Sequence, residues 1–172
     1  MALDRNVSAH MSSVIYREAE PSDIPGMVRL RSLKRGNKDY WSYRITRYFD
    51  GEYNPQQALR PRVGFVAVEG DTVVGFITGH LTSRYSCDGE VQWIHVDPDR
   101  RRSGIASELL RLLAKWFVEQ KAFKVCVDVD PSNTAGLKFY TRHGAVELVP
   151  HWMYWNDIRT VVEQTSTADA KS

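Results

Sequence analysis

Cysteine is scarce in this sequence, and no long apolar run interrupts it. Two cysteines among 172 residues, Cys87 and Cys126, cannot build a disulfide framework or, alone, a zinc site, and no metal is expected. No apolar stretch approaches the roughly 20 residues of a membrane span. The N-terminus lacks the apolar core of a secretory signal, so a cytoplasmic location is the default and no membrane partner is expected. An excess of one charge is missing too. Lys and Arg number 23 against 21 Asp and Glu, a net charge of +2. Bulk charge therefore gives no argument for a nucleic-acid partner. Internal repeats and low-complexity stretches are absent. What remains is ordinary for one soluble domain: 42% hydrophobic, 26% charged and 11% aromatic residues, enough to build a core.

The ends carry little pattern. Residues 1–13 are small and polar and read as a disordered leader; Met11 offers an internal start, which would make residues 1–10 a vector remnant. From about Val161 the chain trails into QTSTADAKS, so 159–172 reads as a frayed tail and 14–158 as the folded domain.

Between these ends the period of the apolar residues assigns the elements. Val14 to Tyr16 form a short strand. Ser22 is a candidate N-cap for a helix with Ile24, Met27, Val28, Leu30 and Leu33. Residues 40–60 carry Tyr40, Trp41, Tyr43, Ile45, Tyr48 and Phe49, a second helical region. The period then falls to two, and residues 62–97 read as a three-strand antiparallel meander, turning first at Gly70-Asp71. A helix over 103–120, a strand over 124–130, a helix over 133–142 and two strands at 145–149 and 151–156 complete the order. The strand–helix–strand crossing from 90 to 130 requires a parallel pair. The fold class is α/β (α+β): a mixed, mostly antiparallel sheet of about seven strands with about four helices on its faces.

The chemistry concentrates at residues 89–117, where a strand enters the turn Arg100-Arg101-Arg102, reaches Gly104 and starts a helix. The first N–H groups of that helix, from Ile105, Ala106 and Ser107, lack helical partners and carry the positive dipole end. Small residues and arginines around them make a site for linked phosphates. A P-loop is excluded, because Gly104 is followed by Ile-Ala-Ser rather than Lys-Ser/Thr. A dinucleotide turn lacks its first glycine, although Asp128 and Asp130 in the next strand keep that option open.

Arg101-Arg102-Ser103-Gly104-Ile105-Ala106 resembles the Arg/Gln-x-x-Gly-x-Gly/Ala turn of the GNAT superfamily of N-acetyltransferases. Val96-Asp97-Pro98 resembles that family's strand end. Asn133-Thr134-Ala135-Gly136-Leu137-Lys138-Phe139-Tyr140 followed by Gly144 resembles its Asn-x-x-Ala-x-x-Phe-Tyr…Gly segment, with Gly136 in place of the usual alanine.

The resemblance implies that acetyl-CoA is the co-substrate, held by Arg101 to Ser107, by main-chain groups of Ile94, His95 and Val96, and by Asn133 and Tyr140. It implies Glu90 as the base and Tyr140 as the acid for direct attack by an amine in a ternary complex. Each has a plainer reading: Glu90 as a solvated hairpin residue, Tyr140 as packing, Asn133 as an N-cap. A flip of apolar parity at 93–94, with Val91 and Trp93 on one face and Ile94 and Val96 on the other, points to a β-bulge or to a strand buried on both faces. His80 and His95 could relay protons. Cys126, between Val125 and Val127, reads as a packed, inert thiol.

On the acceptor side, Arg29, Arg31, Lys34, Arg35, Lys38, Arg44 and Arg47 face one acid, Asp39, which disfavours polycations. The expected acceptor is a small-molecule or peptide amine that carries a carboxylate, against an aromatic wall of Tyr40, Trp41, Tyr43, Trp152, Tyr154 and Trp155. A homodimer is compatible with the chain. The rival readings are a non-catalytic acyl-CoA-binding sensor or interaction module and, further off, a nucleic-acid-binding domain.

Overall fold

A computed structural model describes residues 13–52 and 54–168. Residues 1–12 of the leader expected over 1–13, and the last four residues of the expected tail, lie outside the described part.

Seven strands form one sheet in the order β1-β2-β3-β4-β5-β7-β6. They are β1 (Val14–Glu18), β2 (Ala58–Glu69), β3 (Thr72–Thr82), β4 (Gly89–Val96), β5 (Val125–Asp128), β6 (Val146–Val149) and β7 (Trp152–Trp155). Among the described residues only β4 and β5 pair in parallel; the helix between them makes the crossover. The helices are α1 (Ile24–Ser32), α2 (Lys38–Asp50), α3 (Ile105–Glu119), α4 (Thr134–Arg142) and α5 (Arg159–Ala168). The mixed, mostly antiparallel sheet is the expected one. The fifth helix is not: the fold runs past residue 158, because Val161 at 1% exposure joins the core beneath α3.

Each face of the sheet has its own core. On one, Leu109, Leu110, Leu113 and Phe117 of α3 lie on the strands with Val91, Val125 and Trp155. Glycines make the bed for this helix. A Cβ at Gly75 would stand 2.9 Å from Ile105, and one at Gly79 would stand 2.9 Å from Leu113. On the other face, Met27, Leu30, Trp41, Ile45 and Tyr48 of α1 and α2 pack on Val66, Phe76 and Trp93. Asn37 caps α2 by accepting the Tyr40 N–H at 3.1 Å. Ser22 does not cap α1. Asp23 closes the preceding turn instead, accepting the Glu20 N–H at 2.7 Å while Arg17 holds both its oxygens.

Of the two readings of the parity break in β4, the bulge is present, one residue earlier than the parity of the sequence placed it, and both faces of the strand are covered as well. Trp93 pairs with Thr78 and Val91 with Gly79, so Gln92 is the extra residue. Val91 therefore shares the α3 face with Ile94 and Val96, and Trp93 faces α1 and α2. The same residue marks where the parallel pair ends. β5 follows β4 only from Gly89 to Val91. Beyond Gln92, β4 has β3 on one edge and, among the described residues, no strand on the other.

Candidate active site

The splay between β4 and β5 opens a cavity of about 380 Å³. Gln92 to His95 line one wall and Val127 to Asp130 the other, with Asn133 and Tyr140 of α4 and Arg31 at the end of α1 around the mouth. Asn133 is the N-cap of α4, accepting the Gly136 N–H at 3.0 Å, and it also borders the cavity. Tyr140 is 5% exposed, edge-on to Phe139 and Trp155. Its phenol has no hydrogen-bond partner among the described residues, and burial pushes its pKa up.

Toward α3, a smaller cavity that meets this one at His95, and a further one that meets it in turn at Val96 and Arg101, lead to the turn before the helix. Gly104 sits there with φ +81°, a left-handed conformation that costs other residues roughly 1–2 kcal/mol. The turn lays the first amides of α3 open beside Arg101, Arg102 and Arg142. A Cβ on Gly104 would meet nothing within 4 Å, so the space above the amides is clear. Room, amides and guanidinium groups together suit linked phosphates. Arg100 points elsewhere, onto Glu69 at 2.7 and 3.0 Å, and Ser103 turns its hydroxyl to the Arg100 carbonyl. Ser103 thus braces the turn.

At the other end, a second cavity of about 400 Å³ adjoins the first across Gln92, Trp93, Asp128 and Arg31. Glu90 lines it at 3% exposure. It is no solvated hairpin residue. Its Oε2 lies 2.8 Å from His80 Nε2, and His80 Nδ1 lies 2.7 Å from the Tyr48 hydroxyl. Burial drives the Tyr48 pKa well up, so the phenol keeps its proton. With Glu90 ionised, Tyr48 donates to Nδ1 and Nε2–H donates to the carboxylate, which assigns the His80 tautomer. Arg84 Nε stands 3.6 Å from the other Glu90 oxygen. Asp128 borders both cavities; burial first, and then Glu90, raise its pKa.

His95 is a satisfied, packed histidine, the plainer of its two readings, rather than a proton relay. Its Nε2 accepts from Arg31 at 2.6 Å, and burial followed by Arg31, Lys34 and Arg101 pushes its pKa down to about 4. It stands neutral, stacked on Phe76. Cys126 is buried beside Val125 and Val127, with its pKa raised by the Cys87 thiol and by burial, as an inert thiol should be.

The aromatic wall differs most from expectation. Trp41 and Trp155 are core residues, Tyr40 and Tyr43 are exposed, and only Trp152 of the six lines the acceptor-side cavity, joined by Trp93. Arg29 bonds the Val73 carbonyl at 2.7 Å, and Arg47 pairs with Glu52, so neither belongs to the basic side of the cavities. Arg31, Arg84, Asp128 and Gln92 escaped the sequence reading as a group, because no short spacing links them. Among the described residues, no three His, Cys, Asp or Glu side chains cluster as a metal site, and no helix is long and apolar enough to cross a membrane.

The profile of the Acetyltransferase (GNAT) family matches residues 30–145, two thirds of the chain and all of this groove except His151 and Trp152. The chain belongs to the GNAT acetyltransferase family. Acetyl transfer is the general chemistry that membership carries. Solved members share the architecture. Ard1 from Thermoplasma volcanium is 23% identical with a TM-score of 0.66, covering 82% of this chain and 93% of that one. The PaiA N-acetyltransferase from Thermoplasma acidophilum, in complex with coenzyme A, is 14% identical with a TM-score of 0.62, over 83% and 96%. An aminoglycoside 6'-acetyltransferase type Ii is 20% identical with a TM-score of 0.66, over 84% and 97%. At these identities the likeness establishes the fold. Comparison with curated protein sequences finds no match.

Proposed function

We propose that this chain is an acetyl-CoA-dependent N-acetyltransferase in which a primary amine attacks directly within a ternary complex. One observation supports the reading above all. A single run of adjoining cavities leads from the Gly104 amides, along the strand-free edge of Ile94 to Val96, to Tyr140 and then to Glu90. A phosphate site, an unpaired strand edge, a phenol and a carboxylate are thus arranged in the order a long thioester carrier needs.

The residues of the chain divide the work. The amides of Ile105 to Ser107, with Arg101 and Arg102, would hold the pyrophosphate. Main-chain groups of Ile94 to Val96 and the Asn133 side chain would hold the arm. Bound acetyl-CoA supplies the acetyl carbon, and its C–S bond breaks as the C–N bond forms. Glu90 takes the proton of the attacking amine, through one water because so little of its carboxylate is exposed. His80 donates to that carboxylate and keeps it aimed. Tyr140 keeps its own proton at working pH, since burial raises its pKa, and donates a hydrogen bond to the departing thiolate.

Thermal-shift measurements with CoA, acetyl-CoA and NAD, followed by thiol-release assays over a panel of amines, test the assignment. CoA and acetyl-CoA should raise Tm and NAD should not. Stabilisation without thiol release from any amine would leave a non-catalytic acyl-CoA-binding module. Stabilisation by NAD alone would return the groove to a dinucleotide.

A further inference from the structure

The acceptor-side cavity has two electrical poles. On its helix side stands Arg31 of α1, with Arg44 of α2 close by. Arg31 stacks over Trp41 at 4.3 Å and donates Nη1 to the neutral His95. No carboxylate pairs with it among the described residues, and its Nε is buried without a hydrogen-bond partner. Burial, then repulsion from Arg35 and Arg44, lower its pKa to about 10, a sign of how poorly its charge is compensated. A half-buried cation with no counter-ion is costly to keep, and an anionic ligand removes that cost. On the strand side stand the carboxylates of Glu90 and Asp128. Arg84 shares that side, and its Nε too lacks a hydrogen-bond partner, but its charge has a counter-ion: Nε stands 3.6 Å from Glu90, while Nη2 donates to the Gln56 carbonyl at 2.8 Å and the group lies over Trp152.

The anion that Arg31 lacks does not come from the thioester carrier. The phosphates of the carrier belong at the Gly104 turn, which has its own arginines, and the arm that passes Arg31 is uncharged. It therefore comes from the acceptor. We infer that the acceptor is a free α-amino acid, its carboxylate set on Arg31 and its amino group turned toward Glu90 and Asp128. The cavity holds about 400 Å³, the scale of one small zwitterion with its side chain against Trp93 and Trp152. The Arg31 pole repels polyamines and other polycations. This inference rests on the acetyltransferase reading, and it specifies the substrate of that same site.

The test compares matched acceptors on the full chain: the free L-amino acids, the corresponding amino-acid amides, the decarboxylated amines, and short peptides that begin with Asp or Glu. Thiol release is measured with acetyl-CoA, and binding by calorimetry with CoA present. At least one free amino acid should bind and react, with kcat/KM on the order of 100-fold above its amide and its decarboxylated amine. Arg31→Met should collapse that ratio toward unity, and Arg31→Lys should keep most of it. The ratio is internal to each protein, and the wild-type comparison stands even where a variant folds poorly. Equal rates for acid and amide would overturn the inference and leave the acetyltransferase standing. So would acidic peptides that outperform every free amino acid. Absence of both binding and turnover for all free amino acids also overturns it. Failure of CoA itself to stabilise the chain, with no thiol release from any amine, would strike the parent reading instead, while amino-acid binding would still report on Arg31.

Discussion

The two ends of the groove are built in opposite ways. At the Gly104 end the working groups are consecutive main-chain amides at the start of one helix, and the side chains around them are largely exposed. At the Glu90 end they are buried side chains from α2, β3 and β4, with Tyr48 and His80 32 residues apart in sequence. A backbone site tolerates most side-chain changes, because its donors remain whatever the neighbours are. A buried chain of side-chain bonds does not, since losing one member strands the others at about 1–3 kcal/mol each. The comparison predicts that damage at one end should weaken carrier binding and damage at the other should slow the chemistry.

Glu90→Gln is the sharpest way to break it. Glutamine fills the same space and still offers an oxygen to His80 Nε2–H, so the fold should hold. Without a base, turnover should fall by about 10²–10⁴-fold while calorimetry shows CoA binding unchanged. A rate like that of the wild type would move the base elsewhere, with Asp128 the next carboxylate on the same cavity.

Gly104→Ala is the complement. The new Cβ meets no protein atom, so the cost to the fold is the left-handed backbone alone, roughly 1–2 kcal/mol. The methyl group would project toward the phosphates, and the Kd for CoA should rise about tenfold with kcat at saturation nearly unchanged. An equal fall in kcat would show that the two ends are not separable.

Between the ends, His95 offers a smaller effect, in stability. Its folded pKa, about 4, lies below the usual value of about 6.5 for an unfolded chain. In that window the unfolded chain binds the extra proton, so stability rises with pH from about 4 to about 6.5 and is lost as pH falls through it. His95→Gln keeps an acceptor for Arg31 without that titration, and its Tm should depend less on pH between 4.5 and 7. Identical slopes for the two proteins would mean that His95 gains its proton freely and that Arg31 is not held against it.

The same contrast explains how much could be read in advance. The Gly104 turn, the Asn133 and Tyr140 helix, the succession of strands and helices and the one parallel crossing follow from local residues, because main-chain sites and amphipathic periods are written contiguously. Glu90 was legible as a strand residue, but its bonds to His80 and Tyr48 were not, since pairing register and helix docking set them. The bulge was visible as a break in parity, yet only the register with β3 identifies Gln92 as the extra residue. Trp41 and Trp155 looked like pocket aromatics because composition does not say which face a helix or strand buries. α5 escaped because few apolar residues mark it, and Val161 is one of them.

Gly136 gives the finest test, since two effects of similar size oppose each other there. Alanine in place of this glycine should favour the helix by about 1 kcal/mol. Its Cβ, however, would stand 2.5 Å from Asn133 Nδ2 and 2.9 Å from Cγ. The Asn133 side chain would have to turn away and give up the bond to the Gly136 N–H, a cap worth about 1 kcal/mol. The Tm of Gly136→Ala should therefore stay within about 2 °C of the wild type. Carrier affinity is the more telling readout, because Asn133 borders the groove. If Asn133 holds the arm as well as capping α4, Gly136→Ala should weaken CoA binding a few-fold at unchanged Tm. Asn133→Ser, which keeps a capping oxygen on a shorter side chain, should do the same. A clear loss of Tm in Gly136→Ala with CoA affinity intact would confine Asn133 to the helix end, and the grip on the arm would fall to the strand edge alone.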